Sequence, residues 1–186
     1  MKKFMCLIIA VIAAACVVMS CATIQRITER TNEKTALVYG YFNLGDVSYQ
    51  MNWISLLQFS PPTEKPYWGA AIKNGCFFNS NLVPGEYCID SFGADNHTYK
   101  ISYEVGCFEI EKSDLYYFGA YEVVWKDGKP WTLKRTFKPG EAEVIEKILD
   151  STDPGTYWDI KLRKRLSILR EAEARKANIP RAPSPQ

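Results

Sequence analysis

The chain has 186 residues, of which 23 are Lys or Arg, 21 are Asp or Glu and one, His97, is histidine. So balanced a composition lacks the excess of positive charge on which nucleic-acid binding depends, and we expect no nucleic-acid partner. With one histidine and no C-x-x-C spacing, a zinc-type site would have few ligands, so we also expect no metal.

Residues 1–20 have the parts of an export signal. Lys2 and Lys3 precede the uncharged stretch 4–19, whose sixteen residues are fewer than the roughly 20 that a membrane-spanning helix needs. The run Val18-Met19-Ser20-Cys21, which overlaps its end, resembles the lipobox of bacterial lipoproteins. This resemblance implies that diacylglycerol is attached to the Cys21 thiol, that the signal is cleaved before it, and that Cys21 becomes the mature N-terminus.

The residues near Cys21 indicate the target membrane and a competing site of lipid attachment. Ala22 stands where an aspartate would resemble the signal for inner-membrane retention, so the resemblance favours the outer membrane of a two-membrane cell, in either leaflet. Cys16, after three alanines, is a competing site. Two or three acyl chains would make attachment to the bilayer effectively permanent. We interpret 21–34 as the lipidated N-terminus and a polar spacer, with a first strand or helical turn as the alternative.

Removal of the signal changes the charge balance. Lys2 and Lys3 leave with it, so 23 − 2 = 21 basic residues face 21 acidic ones and the formal net charge is zero. Eight bases still lie within 161–181. They could meet anionic lipid or an acidic partner, although a charge run on a helix is more often a solvated face.

The segment 35–137 has the pattern of short strands. Apolar and aromatic residues alternate at 36–42, and turn residues such as Pro84-Gly85 recur about every ten positions, which leaves no room for crossover helices. Asp127-Gly128 fits the positive φ angles of a tight hairpin turn. The sequence therefore predicts a mainly β fold, a seven- to nine-stranded antiparallel sandwich or barrel.

One motif inside this segment is suggestive of a family. The run from Phe77 to Ile89, Phe-Phe-Asn-Ser-Asn-Leu-Val-Pro-Gly-Glu-Tyr-Cys-Ile, resembles a segment of the carboxypeptidase regulatory-like or transthyretin-like β-sandwiches. The resemblance covers about residues 36–125. It implies a sandwich that serves as a structural or binding module, and it implies no particular activity.

Three cysteines remain once the signal is removed and Cys21 is acylated. An odd number allows at most one internal disulfide among Cys76, Cys88 and Cys107. Around Cys88 and Cys107 the apolar residues alternate with the cysteines, which places both on the face away from the core. We therefore prefer the pair Cys88–Cys107.

The segment 138–177 is predicted to be a helical extension. Val144, Ile145, Ile148 and Leu149 share one helical face between Glu141 and Leu149. A second helix is expected to start with Asp153 as N-cap and Pro154 in its first turn, and to carry an apolar stripe of Trp158, Leu162, Leu166 and Leu169. Residues 178–186, rich in proline, are predicted to be a disordered tail.

We find no recognisable catalytic motif and expect no cofactor and no catalytic residue. There is no G-x-S-x-G elbow, P-loop, G-x-G-x-x-G or H-E-x-x-H. His97 lies in a polar turn, and the carboxylates of Glu109 and Glu111 are expected on an exposed strand face. An accessory hydrolase with unrecognised residues is the weaker alternative.

The tryptophans are the remaining candidates for binding. We assign Trp53 and Trp158 to the core, and Trp125 and Trp131, which flank the hairpin turn, to ligand binding. The sequence thus favours a lipoprotein anchored to the bilayer through acylated Cys21 and acting as a non-catalytic binding or scaffolding module. Its expected partner is another envelope protein or a glycan, with recognition of glycan or peptidoglycan through exposed aromatics as the alternative function.

Overall fold

A computed structural model describes residues 26–45, 50–63, 66–71, 75–101 and 106–177. These residues form nine strands and two C-terminal helices: β1 (Ala36–Asn43), β2 (Met51–Ser60), β3 (Tyr67–Ala71), β4 (Cys76–Leu82), β5 (Gly85–Ala94), β6 (His97–Lys100), β7 (Cys107–Ile110), β8 (Leu115–Lys126), β9 (Lys129–Thr136), α1 (Glu141–Leu149) and α2 (Tyr157–Ala177). The predicted class, a mainly β sandwich followed by a helical pair, is confirmed. The signal 1–20, Cys21 and the tail 178–186 lie outside the described residues.

The strands form one hydrogen-bonded path in the order β6-β5-β2-β3-β4-β1-β8-β9, with β7 also paired to β5. The path folds over so that its ends approach: the rings of Tyr99 on β6 and Trp125 on β8 are 5.1 Å apart between centroids. The two halves of the sheet therefore face each other across one core, as in a sandwich.

One pairing differs from the antiparallel arrangement that we predicted. β1 pairs with β8 in parallel, with Leu37 opposite Leu115 and Phe42 opposite Tyr121, whereas the other pairings are antiparallel. β1 is buried on both faces, which is the usual environment of a parallel strand. Its partner comes from far along the chain, so local sequence alternation carried no sign of it.

The inner core lies between the two halves of the sheet. Ala36, Val38 and Phe42 of β1 point into it. They pack with fully buried residues of other strands, among them Ile54, Leu56, Phe77, Tyr87, Ile89 and Phe92. The alternate residues of β1 point the other way, as the two-residue period of a strand requires.

A second core lies on the outer face of β1 and β4, beneath the helices. Leu37 and Tyr39 contribute to it from β1, and the helices add Val144, Ile145, Ile148, Trp158 and Leu162, all fully buried. The predicted apolar faces of both helices are therefore the faces that pack on the sheet. Trp158 belongs to this core as expected, whereas Trp53 is only half-buried.

The start of α2 differs from the prediction. The helix begins at Tyr157, and the Thr156 hydroxyl accepts a hydrogen bond from the Asp159 N–H at 3.4 Å. Asp153, the expected N-cap, lies in the preceding turn and its carbonyl accepts a hydrogen bond from the Thr156 hydroxyl at 2.7 Å. The Thr-x-x-Asp pattern at 156–159 was thus the better helix-start signal.

Candidate functional site

The described part of the predicted spacer is packed against the helices. Ile27 is fully buried in the outer core. Its N–H donates to the Ser151 carbonyl at 2.8 Å, and its carbonyl accepts from the Asp153 N–H at 3.0 Å. This is a short parallel bridge to the α1–α2 connection. Residues 26–34 therefore belong to the folded domain, and the spacer prediction was wrong for them.

Charged side chains hold the same segment on either side of Ile27. Arg26 forms an ion pair with Asp153 at 3.2 Å. The Glu29 carboxylate accepts a hydrogen bond from the Tyr157 N–H at 3.0 Å, at the N-terminus of α2, and the Arg30 guanidinium lies 3.9 Å from the centre of the Tyr157 ring. A carboxylate is favourable at this end of a helix because the helix dipole is positive there.

The β8–β9 hairpin lies at the other end of the sheet. Its turn has Asp127 at φ 51° and Gly128 at φ 72°, the two positive angles that the sequence predicted. Thr132 pairs with Val124 but Pro130 pairs with Trp125, so the register skips Trp131. Trp131 is the extra residue of a β-bulge, a device that re-aims a side chain.

The two tryptophans assigned to ligand binding have different surroundings. Trp125 is partly buried: its indole N–H donates to the Leu44 carbonyl at 2.7 Å, and its ring meets Phe92 and Tyr99 edge-on. Trp131 is 62% exposed, with the Lys126 ammonium 4.3 Å from its ring centre. Trp125 is thus a structural part of the inner core, and of these two residues Trp131 alone is largely exposed.

The cysteines lie as the alternation of the sequence led us to expect. Cys88 and Cys107 are directly opposite in the β5–β7 pair, 4.0 Å apart between Cα atoms, and form a disulfide. Their neighbours Tyr87 and Phe108 stack on the core side. Cys76 is a free thiol, fully buried beneath the helices, and burial raises its pKa to about 11. A thiol of that pKa is a poor nucleophile at neutral pH.

A polar cleft of about 550 Å³ lies between α2 and the start of β8. At its edge the Glu141 carboxylate accepts hydrogen bonds from the Tyr39 hydroxyl at 2.7 Å and from Arg165 at 2.9 and 2.8 Å. Burial and the neighbouring Glu141 raise the pKa of Tyr39 well above its usual value, and they raise that of Tyr117 to about 12. These phenols remain protonated at neutral pH, and the hydrogen bonds and ion pair to Glu141 tie α1 and α2 to the sheet.

The residues considered for catalysis are apart from this cleft. His97 is exposed at the start of β6, with Nδ1 2.8 Å from the Asp95 carbonyl oxygen. Glu109 and Glu111 are exposed on and just after β7. Within the described ranges, no group of three or more His, Cys, Asp or Glu side chains is placed to hold a metal ion.

Comparison of the chain with protein-family models, with curated proteins and with solved structures found no match. Among the residues that the structure describes, no helix combines the length and the apolar character needed to cross a membrane.

Two features of the site were missed from the sequence. Ile27 stands almost alone in a polar run, and its burial depends on the α1–α2 connection more than 120 residues away. The bulge at Trp131 was equally hidden, although Pro130 gave a signal, because proline interrupts regular strand pairing.

Proposed function

We propose that the protein is a bacterial envelope lipoprotein, anchored in the outer membrane through acylated Cys21, whose folded domain is a non-catalytic binding or scaffolding module. The observation that carries the proposal is the docking of Ile27: the folded domain starts only a few residues after the lipobox-like cysteine. A leader, a cysteine and a folded domain follow one another in the order expected of a lipid-anchored domain. Membership of the carboxypeptidase regulatory-like sandwiches stays a prediction.

Recognition of a glycan is the second candidate function. It is favoured by Trp131, whose ring is 62% exposed on the hairpin, since a flat aromatic surface stacks on the apolar face of a sugar. The original pair of tryptophans does not support it as first proposed, because Trp125 packs into the core.

Anchoring is tested by expressing the full chain in a two-membrane bacterium fed an alkyne-bearing palmitate. We expect the label on the wild type and on Cys16→Ala, and both proteins in the outer-membrane fraction. Cys21→Ala should lose the label and leave that fraction. Cys16→Ala is a matched control, because it removes a nearby cysteine and leaves the lipobox-like motif intact.

Two results would contradict the proposal. One is label and membrane fractionation that survive in Cys21→Ala and disappear in Cys16→Ala, which would move the lipid to the competing cysteine. The other is a wild-type protein recovered from the aqueous fraction with residues 1–20 still attached.

A further inference from the structure

Packing does not explain why a tryptophan stands at position 131. Lys126 pairs with Lys129 and Trp125 with Pro130, so residue 131 comes next on the face of β9 that points away from the core side of Trp125. Tryptophans are usually well buried, yet Trp131 is 62% exposed, with Lys126 over the ring. A β-bulge lies at the same residue. Bulges of this kind occur at sheet edges and beside functional sites.

The same hairpin carries unpaired positive charge. Between Lys126 and Lys138 the chain has five bases and one acid, Asp127, and a second acid, Glu122, lies opposite Lys134. The ion pairs found among the described residues involve none of these bases, which are Lys126, Lys129, Lys134, Arg135 and Lys138. By contrast, most bases of α2 are paired with acids. The hairpin is therefore a region where clustered positive charge is available to a partner.

Protection of a sheet edge accounts for only part of this pattern. β9 ends the strand path, and Lys and Pro on an edge strand discourage pairing with another chain. That purpose explains Lys129, Pro130 and Lys134. It gives no reason for the largely exposed Trp131 between them. Because Lys and Pro discourage strand pairing, a peptide added as a further strand is an unsuitable ligand for this surface.

The hairpin is also far from the point where the chain enters the domain. Ser113 and Thr35, joined by a hydrogen bond of 2.5 Å, mark the end of the sheet where β8 begins, next to the docked N-terminal segment. The twelve residues of β8 place the hairpin turn about 36 Å away at 3.3 Å per residue. Cys21 lies five residues before Arg26, so at most about 18 Å of chain separates them.

We propose that the hairpin Lys126–Lys138 binds a carboxylate-bearing glycan polymer of the cell envelope. The Trp131 ring stacks on a sugar, and the lysines with Arg135 neutralise the carboxylates. The placement of this surface in the cell rests on the proposed function, because an anchor at Cys21 would put the hairpin at the end of the domain far from the bilayer. Binding itself does not require the anchor.

The test is co-sedimentation of the purified mature lipoprotein, in mild detergent, with peptidoglycan sacculi stripped of bound protein. Trp131→Ala should weaken binding by roughly tenfold, the upper range for one aromatic contact. Lys134→Glu combined with Arg135→Glu should weaken it by about tenfold or more, and raising sodium chloride from about 0.05 M to about 0.5 M should do the same to the wild type. Lys164→Glu with Lys176→Glu on α2, a matched change of charge, should leave binding unchanged.

Three comparisons decide the outcome. Wild-type protein should not sediment with chitin, an uncharged glycan. Cys21→Ala protein, which carries no acyl chains, should not float with vesicles of mixed phosphatidylglycerol and phosphatidylcholine in detergent-free buffer. Equal binding to chitin would remove the role of charge, and binding to the vesicles in place of sacculi would make the hairpin a lipid-binding surface; either overturns the proposal. So does a Trp131→Ala protein that binds sacculi like the wild type. Palmitate labelling of the same variants should be normal, which separates failure here from failure of the anchor.

Discussion

Replacing Ile27 by alanine tests whether residues 26–34 belong to the folded domain. The side chain is fully buried against the outer core, and its backbone bridges the α1–α2 connection. Truncation removes about three carbon groups worth about 0.8 kcal/mol each and leaves a cavity in a site held on both sides by main-chain hydrogen bonds. We therefore expect a loss of about 3 kcal/mol in the free energy of unfolding.

The assay is equilibrium unfolding in urea, followed by tryptophan fluorescence, since Trp158 lies in the same core. With a slope of about 2 kcal/mol per molar, the midpoint should fall by about 1.5 M. Ile160→Ala is the matched control: Ile160 is 60% exposed on α2, and its truncation should change stability by less than about 0.5 kcal/mol. Arg26→Ala, which breaks a largely exposed ion pair, should cost less than about 1 kcal/mol.

A polar spacer would give a different pattern. If Ile27→Ala unfolds at the same urea concentration as Ile160→Ala, the segment contributes nothing to the fold and the docked N-terminus is refuted. A weaker dependence of the unfolding free energy on urea concentration, with an unchanged midpoint, would indicate an effect on the unfolded state. It would also contradict the predicted loss of packing around Ile27 in the folded state.

The remaining predictions concern the disulfide and alkaline pH. Replacing Cys88 and Cys107 together by serine opens a covalent link across 19 residues and should lower the free energy of unfolding by about 3 kcal/mol in the same urea assay; wild-type protein in reductant should match the variant, and stability equal to that of the oxidised wild type would contradict the bridge. The folded state raises the pKa of Cys76 from 9.0 to about 11 and that of Tyr117 from 10.0 to about 12, so these groups contribute stability below about pH 9 that is lost as the pH rises toward 11 and 12. The urea midpoint of the wild type should fall as the pH is raised from 8 to 11, and that of Cys76→Ala should fall less steeply over the first part of that range. A wild-type midpoint that does not change with pH would refute the raised pKa values of Cys76 and Tyr117.

The strands and helices were predictable because their signals are local. Two-residue alternation places Ala36 and Val38 on one face of β1, and the positive φ angles at Asp127 and Gly128 follow from residues suited to them. The apolar stripe of α1 is likewise visible within nine residues. Even the Cys88–Cys107 partnership could be inferred, because it needed only the facing direction of two short strands.

The candidate site was less predictable because its geometry depends on register. Trp125 and Trp131 flank the turn in the sequence, yet Trp125 pairs with Pro130, so Trp131 follows on the other face of the hairpin, and one ring enters the core while the other faces solvent. The exposed charge of the hairpin is a tertiary property in the same way. Bases are as frequent in α2, but there Asp114, Glu141 and Glu146 are brought from other elements to pair with them.

By itself, the sequence determined the order of strands and helices, the hairpin turn and the residues that must be buried, because these follow from side-chain period and backbone preference over a few neighbouring positions. Tertiary structure alone decided that β1 and β8 run parallel, that Ile27 closes the outer core, and that Trp125 packs into the inner core. Each of those outcomes joins residues far apart in the chain, and the free energy that selects them comes from burial and pairing available only after the sheet has folded over.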